Sequence, residues 1–196
     1  MKRFLLIPAL FVAFTLSASA QSNWSFDNSH TTIGFEVTHL VISEVEGHFN
    51  SYEGAVKTKG EDFSGASVKF TVDVASIDTD NEKRDGHLKS DDFFNAEKFP
   101  KMTFVSKSMK KTGKNTYKLL GDLTIRDVTR QVELDVKHNG TVQDPWGNTK
   151  AGFKMTGAVN RFDYNLKWNK MTEMGGAVVG KEVRLDIDVQ LKQEKS

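Results

Sequence analysis

The side chains with chemistry to offer crowd into one segment. Lys83-Arg84-Asp85-Gly86-His87-Leu88-Lys89-Ser90-Asp91-Asp92-Phe93-Phe94 holds an acid, an imidazole and a hydroxyl at Asp85, His87 and Ser90. Those are the members of a nucleophilic triad, in which the acid orients the base and the base takes the hydroxyl proton. The spacing argues against one. Residues 81–94 read as a helix, with Asp80 or Asn81 as N-cap and Pro100 helping to stop it. On a helix, positions two apart point to different faces. Asp85 cannot then orient His87 while His87 reaches Ser90, and the chain has no G-x-S-x-G elbow. Arg84 and Asp85 are expected instead to brace the helix against one end of the fold. No catalytic residue is assigned.

Metal chemistry finds no better footing. The histidines are His30, His39, His48, His87 and His138, and no two show H-x-H or H-x-x-x-H spacing. His39 and His48 could approach across a hairpin whose loop carries Glu44 and Glu46, but surface or hydrogen-bonded histidine is the expectation. Cysteine is absent, which removes thiol redox pairs, cysteine zinc sites and disulfides. Two polar side chains, Asn160 and Tyr164, are candidate contacts for a ligand head group.

The elements that must position these groups are strands. Apolar and polar residues alternate with period two in Ile33-Gly34-Phe35-Glu36-Val37, in Val68 to Val74, in Val132 to Val136, in Phe153-Lys154-Met155 and in Val183 to Leu191. That is the pattern of antiparallel strands with one buried and one solvated face. Weaker candidates are 46–59, 102–109 and 116–125. Turn signals at Lys59-Gly60-Glu61-Asp62, Thr112-Gly113-Lys114-Asn115 and Asp144-Pro145-Trp146-Gly147-Asn148 separate them. About eight long strands close into a barrel or stack as a sandwich. The apolar faces mix large residues (Phe35, Phe70, Phe153) with small ones (Gly121, Ala151, Gly157), which favours a barrel with tapering inner space. A barrel of eight strands is just wide enough to enclose one small ligand. Its inner wall would then be Phe35, Val37, Phe70, Val72, Phe104, Leu134, Phe153, Met155 and Leu185.

The N-terminus reads as an export signal. Lys2 and Arg3 are followed by an apolar run from Phe4 to Leu16 and by Ala18-Ser19-Ala20, an A-x-A cleavage site. Residues 1–20 are expected to be removed, leaving one domain over residues 21–196 that begins at Gln21. Removal takes Lys plus Arg from 27 to 25 against 26 Asp plus Glu, a net charge of −1. With no basic excess to neutralise phosphates, nucleic acid is not an expected partner. No second apolar run of that length exists, so no transmembrane segment is expected in the mature chain.

An ordered set of motifs resembles the YceI-like, polyisoprenoid-binding, lipocalin-like family. The strongest is Arg84-Asp85-Gly86-His87-Leu88-Lys89-Ser90-Asp91-Asp92-Phe93-Phe94, with Phe99-Pro100 after it. Ser76-Ile77-Asp78-Thr79, Gly121-Asp122-Leu123-Thr124-Ile125, Val128-Thr129-Arg130, Ala151-Gly152-Phe153 and Asn160-Arg161-Phe162-Asp163-Tyr164 add to it, as do His39-Leu40 and Gly47-x-Phe49. The resemblance covers roughly residues 23–192. It implies an all-β fold, an extended eight-stranded antiparallel barrel with one short helix and a long apolar channel, whose wall Phe49 would join. It also implies a non-catalytic periplasmic or secreted carrier. The ligand would be a long-chain isoprenoid or fatty amphiphile, with a bound isoprenoid lipid or quinone in place of any cofactor. A homodimer is compatible with the pattern. The chain departs from the family at Asp127 and Asn165, where a turn glycine is usual; Asp and Asn tolerate left-handed backbone better than other side chains. The rival reading is a structural or interaction module whose barrel is filled by side chains.

Overall fold

The computed structural model describes residues 21–60, 62–171 and 175–195. The expected export signal at 1–20 lies outside them. Among the described residues eleven strands run in chain order: β1 (Gln21–Phe26), β2 (Thr32–His39), β3 (Ser43–Phe49), β4 (Tyr52–Lys59), β5 (Ser67–Asp73), β6 (Ile77–Asp78), β7 (Lys101–Lys111), β8 (Thr116–Ile125), β9 (Val128–Gln143), β10 (Thr149–Asn160) and β11 (Val179–Gln193). One helix, α1 (Glu82–Lys89), precedes β7. No helix among them is long and apolar enough to cross a membrane.

The sheet closes on itself. β1 pairs with β4 on one side and β11 on the other, completing a ring β1-β4-β5-β7-β8-β9-β10-β11 of antiparallel neighbours. β2 pairs with the first half of β11, β3 pairs with β2, and β6 pairs with β3. Each therefore continues a stave of the ring past a corner, giving β1/β2, β3/β4 and β5/β6. With β7 to β11 they make eight staves, the expected number.

The corners correct one expectation. Residues 46–59 are not a single strand but β3 and β4, broken at Asn50-Ser51. The break is bonded to its neighbour: Asn50 N–H donates to Ser76 O, and Ser51 N–H to Ser76 Oγ at 3.0 Å. Asp27 and Asp73 cap the 3-10 turns at the other two corners by accepting Ser29 N–H and Ala75 N–H. Short polar side chains that bond nearby backbone are what ends a strand.

Alternation sets which residues face inward, and small residues relieve crowding there. A Cβ at Gly157 would lie 2.6 Å from Leu134 Cδ2, and one at Gly121 would overlap the Phe104 ring. The β8–β9 turn takes left-handed backbone at Arg126 (φ 48°) and Asp127 (φ 59°), and Asn165 does the same at φ 63°. Both departures from the family's glycine thus keep the turn.

The helix is shorter than expected. It starts on Asn81, whose side chain accepts Arg84 N–H at 3.0 Å, but ends at Lys89 rather than 94. Pro100 plays no part in ending it. Ser90 Oγ donates to His87 O, and Arg126 Nη1 takes the carbonyls of Asp91 and Phe93. The backbone leaves the helix at Ser90, which is extended at φ −73° and ψ 174°. The chain turns instead and lays Phe93 and Phe94 over the barrel.

The interior divides lengthwise. Trp24, Phe63, Tyr117, Leu119, Val136, Phe153 and Leu191 pack as one cluster. Ile33, Phe49, Val72, Val74, Met102, Ile125, Tyr164 and Leu166 form a second.

Candidate functional site

Between these clusters lies a cavity of about 200 Å³. Ten of the twelve expected site residues line it: Phe35, Val37, Phe49, Phe70, Val72, Phe104, Leu134, Met155, Tyr164 and Leu185. They meet because register aligns inward positions of neighbouring strands. Leu185 pairs with both Phe35 and Gly157, and Phe70 pairs with Phe104.

Phe153 and Asn160 stand apart from the wall. Phe153 does point inward, but at the packed end. It meets Phe63 edge-on at 4.7 Å between ring centroids and stacks on His138 at 4.8 Å. Trp24 lies 5.3 Å from Phe63 and completes the plug. Burial there pushes the His138 imidazole pKa down. The segment that carries Phe63 is a loop between β4 and β5 with no alternation to mark it. The plug was therefore hidden in the sequence. Asn160 acts indirectly: its Oδ1 accepts Phe162 N–H at 3.1 Å and caps the 3-10 turn Arg161–Tyr164.

That turn supplies the polar edge of the site. Arg161 is 4 % exposed and lines the cavity. Its Nε donates to Gly180 O, Nη1 to Leu166 O and Trp168 O, and Nη2 to Val179 O. Desolvation by burial lowers its pKa. The guanidinium thus ties β10 to the chain leading into β11, a role that side-chain type alone did not reveal. Tyr164, 2 % exposed, has a hydroxyl with no hydrogen-bond partner. Burial first, and Asp163 second, push its phenol up to about 12, against a smaller opposing effect of Arg130.

Three wall residues come from the segment after the barrel's third stave. Leu88, Phe93 and Phe94 cover the flank left beside the short strand β6. Arg126 holds this cover, with Nη1 donating to Phe93 O at 2.7 Å and to Asn165 O at 3.1 Å. As expected, Arg84 and Asp85 brace the helix. Arg84 Nε donates to Thr79 Oγ1 at 2.7 Å, and Asp85 Oδ1 accepts Thr79 N–H at 3.0 Å.

The same bonds separate the residues of the triad. Asp85 is spent on Thr79, whereas His87 Nε2 pairs with Asp92 Oδ2 at 2.8 Å and its ring meets Phe93 and Trp168 edge-on. Ser90 Oγ donates to the His87 carbonyl, not to its ring. His39 and His48 sit five rungs apart, opposite Ser43 and Gly34 on the β2–β3 ladder. At about 3.4 Å per residue that is about 17 Å, too far to share a metal. Among the described residues no three His, Asp or Glu side chains gather as a metal site.

The YceI-like domain matches residues 24–191. The chain belongs to the YceI-like family. The UPF0312 protein of Staphylococcus aureus strain MSSA476 is 38 % identical over 170 residues, 86 % of this chain and 96 % of its own. The Campylobacter jejuni YceI protein is 32 % identical and superposes with a TM-score of 0.69 over 87 % of this chain and 96 % of that one. A polyisoprenoid binding domain from Saccharophagus degradans, implicated in plant cell wall breakdown, shares the YceI-like fold at a TM-score of 0.63 and 15 % identity, over 87 % and 98 % of the two chains.

Proposed function

We propose that this YceI-like barrel is an exported, non-catalytic carrier that holds the chain of a polyisoprenoid or other long-chain amphiphile in its channel. The observation that carries this reading is a cavity with an almost wholly apolar wall inside an otherwise well-packed barrel. A structural module would have no reason to leave apolar walls facing space, because each lining atom forfeits its contacts. The volume of about 200 Å³ lies below the about 300–1,000 Å³ of drug-sized sites, which suits a narrow chain better than a bulky ligand. Each methylene buried contributes about 0.8 kcal/mol. About ten of them contribute about 8 kcal/mol, the free energy of a micromolar Kd before the costs of ordering. The polyisoprenoid binding domain of S. degradans, with the same fold, lends the isoprenoid reading its support.

Native mass spectrometry of the protein purified from its own source, followed by solvent extraction, tests the proposal. The expected polypeptide starts at Gln21 and carries an extractable long-chain lipid. A mass equal to the bare polypeptide, with delipidated protein that takes up no long-chain probe, would leave the barrel a scaffold.

A further inference from the structure

On the carrier reading, the channel wall also carries information about the ligand's head. Among its thirty described residues only Thr103, Arg161 and Tyr164 have polar side-chain atoms beyond sulfur. The Arg161 guanidinium has four of its five N–H groups directed at backbone carbonyls of 166, 168, 179 and 180. It is a structural tie, not an open anion receptor. Tyr164 is different. Its side chain lines the cavity, and its hydroxyl is buried and bonds to nothing. Buried hydroxyls are nearly always paired, since an unpaired one keeps the full cost of its desolvation. The channel floor at the other end is sealed by Trp24, Phe63 and Phe153. A ligand whose tail points to that floor has its polar end on the side of the cluster that holds Tyr164.

We propose that the Tyr164 hydroxyl is the head-group anchor of the channel, donating a hydrogen bond to an uncharged acceptor oxygen such as the carbonyl of an ester, ketone or quinone. A carboxylate or phosphate at that point would sit in an apolar wall with the nearest guanidinium already committed, and an isolated buried charge is strongly penalised. Asp163 beside the phenol adds repulsion of the same sign. A plain hydrocarbon would leave the hydroxyl unpaired.

Three ligands with one branched chain separate the outcomes: phytane, methyl phytanate and phytanic acid, titrated against delipidated protein and its Tyr164→Phe variant. The wild type should bind the ester about tenfold more tightly than the hydrocarbon, the scale of one net hydrogen bond, and more tightly than the ionised acid. In Tyr164→Phe the ester should fall to the level of the hydrocarbon, whose own affinity should not change. The variant's unfolding midpoint without ligand should hold or rise, since it loses only an unpaired hydroxyl, and this guards against a misfolded variant. Equal ester affinity in both proteins, or tightest binding of the acid, overturns the anchor while leaving the carrier intact. Failure of all three ligands to bind the wild type strikes the carrier reading itself.

Discussion

Single side chains in this barrel act through what they leave no room for. Asp27 sits at the corner between β1 and β2, where its carboxylate takes Lys150 Nζ, Gln190 Nε2 at 3.0 Å and His30 Nδ1 at 3.2 Å. The Lys150 hydrogen bond is the largest influence and holds its carboxyl well below the usual carboxylate range, against a desolvation cost of burial. Both side chains of the pair are largely shielded, at 15 % and 17 % exposure, so solvent screens them less than a surface pair. A carboxyl depressed in the folded state stabilises above the unfolded value of about 3.9 and loses that contribution as pH falls toward the folded value. Asp27→Asn should therefore cost about 2 kcal/mol at pH 7, the scale of a charged hydrogen bond. Urea unfolding of both proteins at pH 7 and pH 3 checks it. The gap should narrow at pH 3, and an equal gap at both would detach the cost from the ionised pair.

At the scale of elements, strain concentrates where strands turn. The β2–β3 hairpin passes through Leu40 (φ 52°) and Val41 (φ 66°), with Ile42 N–H donating to His39 O at 3.2 Å. Both central residues are left-handed, the geometry that hairpins normally give to Asn-Gly. A β-branched residue there is an outlier. Val41 is 67 % exposed and Ile42 86 %, so little packing offsets the strain. Val41→Gly should raise stability by about 1 kcal/mol, the order of the left-handed penalty for a residue with a Cβ. A higher urea midpoint with an unchanged m-value is the expected result; a lower one would mean that the Val41 side chain packs in solution.

The molecule as a whole is solid at one end and hollow toward the other. β10 crosses the boundary. Phe153 and Met155 share its inward face, yet Phe153 belongs to the plug and Met155 to the channel wall. The same enlargement should have opposite consequences at the two sites. Phe153→Trp should overpack the plug and cost about 1–3 kcal/mol with the channel still able to take a chain. Met155→Trp should barely change unfolding but narrow the channel and weaken binding of methyl phytanate. Denaturant unfolding beside a titration of each variant reads both effects. Equal destabilisation by the two would mean that the barrel is uniformly filled.

Strand identity and inward direction were legible in the sequence because the side-chain period of a strand is two and the buried face tolerates few polar residues. Val183, Leu185, Ile187 and Val189 declare one face whatever lies across from them. The left-handed turns at Asp127 and Asn165 were legible too, since few residue types accept that backbone. Alternation carries no information about position along the barrel axis. Only the tertiary structure decided that the loop bearing Phe63 folds back to seal one end, so that Phe153 packs while Met155 faces the cavity. It alone decided that the helix would end at Ser90 and that Arg126 would claim the carbonyls of Asp91 and Phe93, holding Phe93 and Phe94 over the channel. It alone spent Arg161 on four carbonyls and left the Tyr164 hydroxyl unpaired. Such pairings join residues whose separation in the chain is set by how the sheet closes, and no local pattern encodes them.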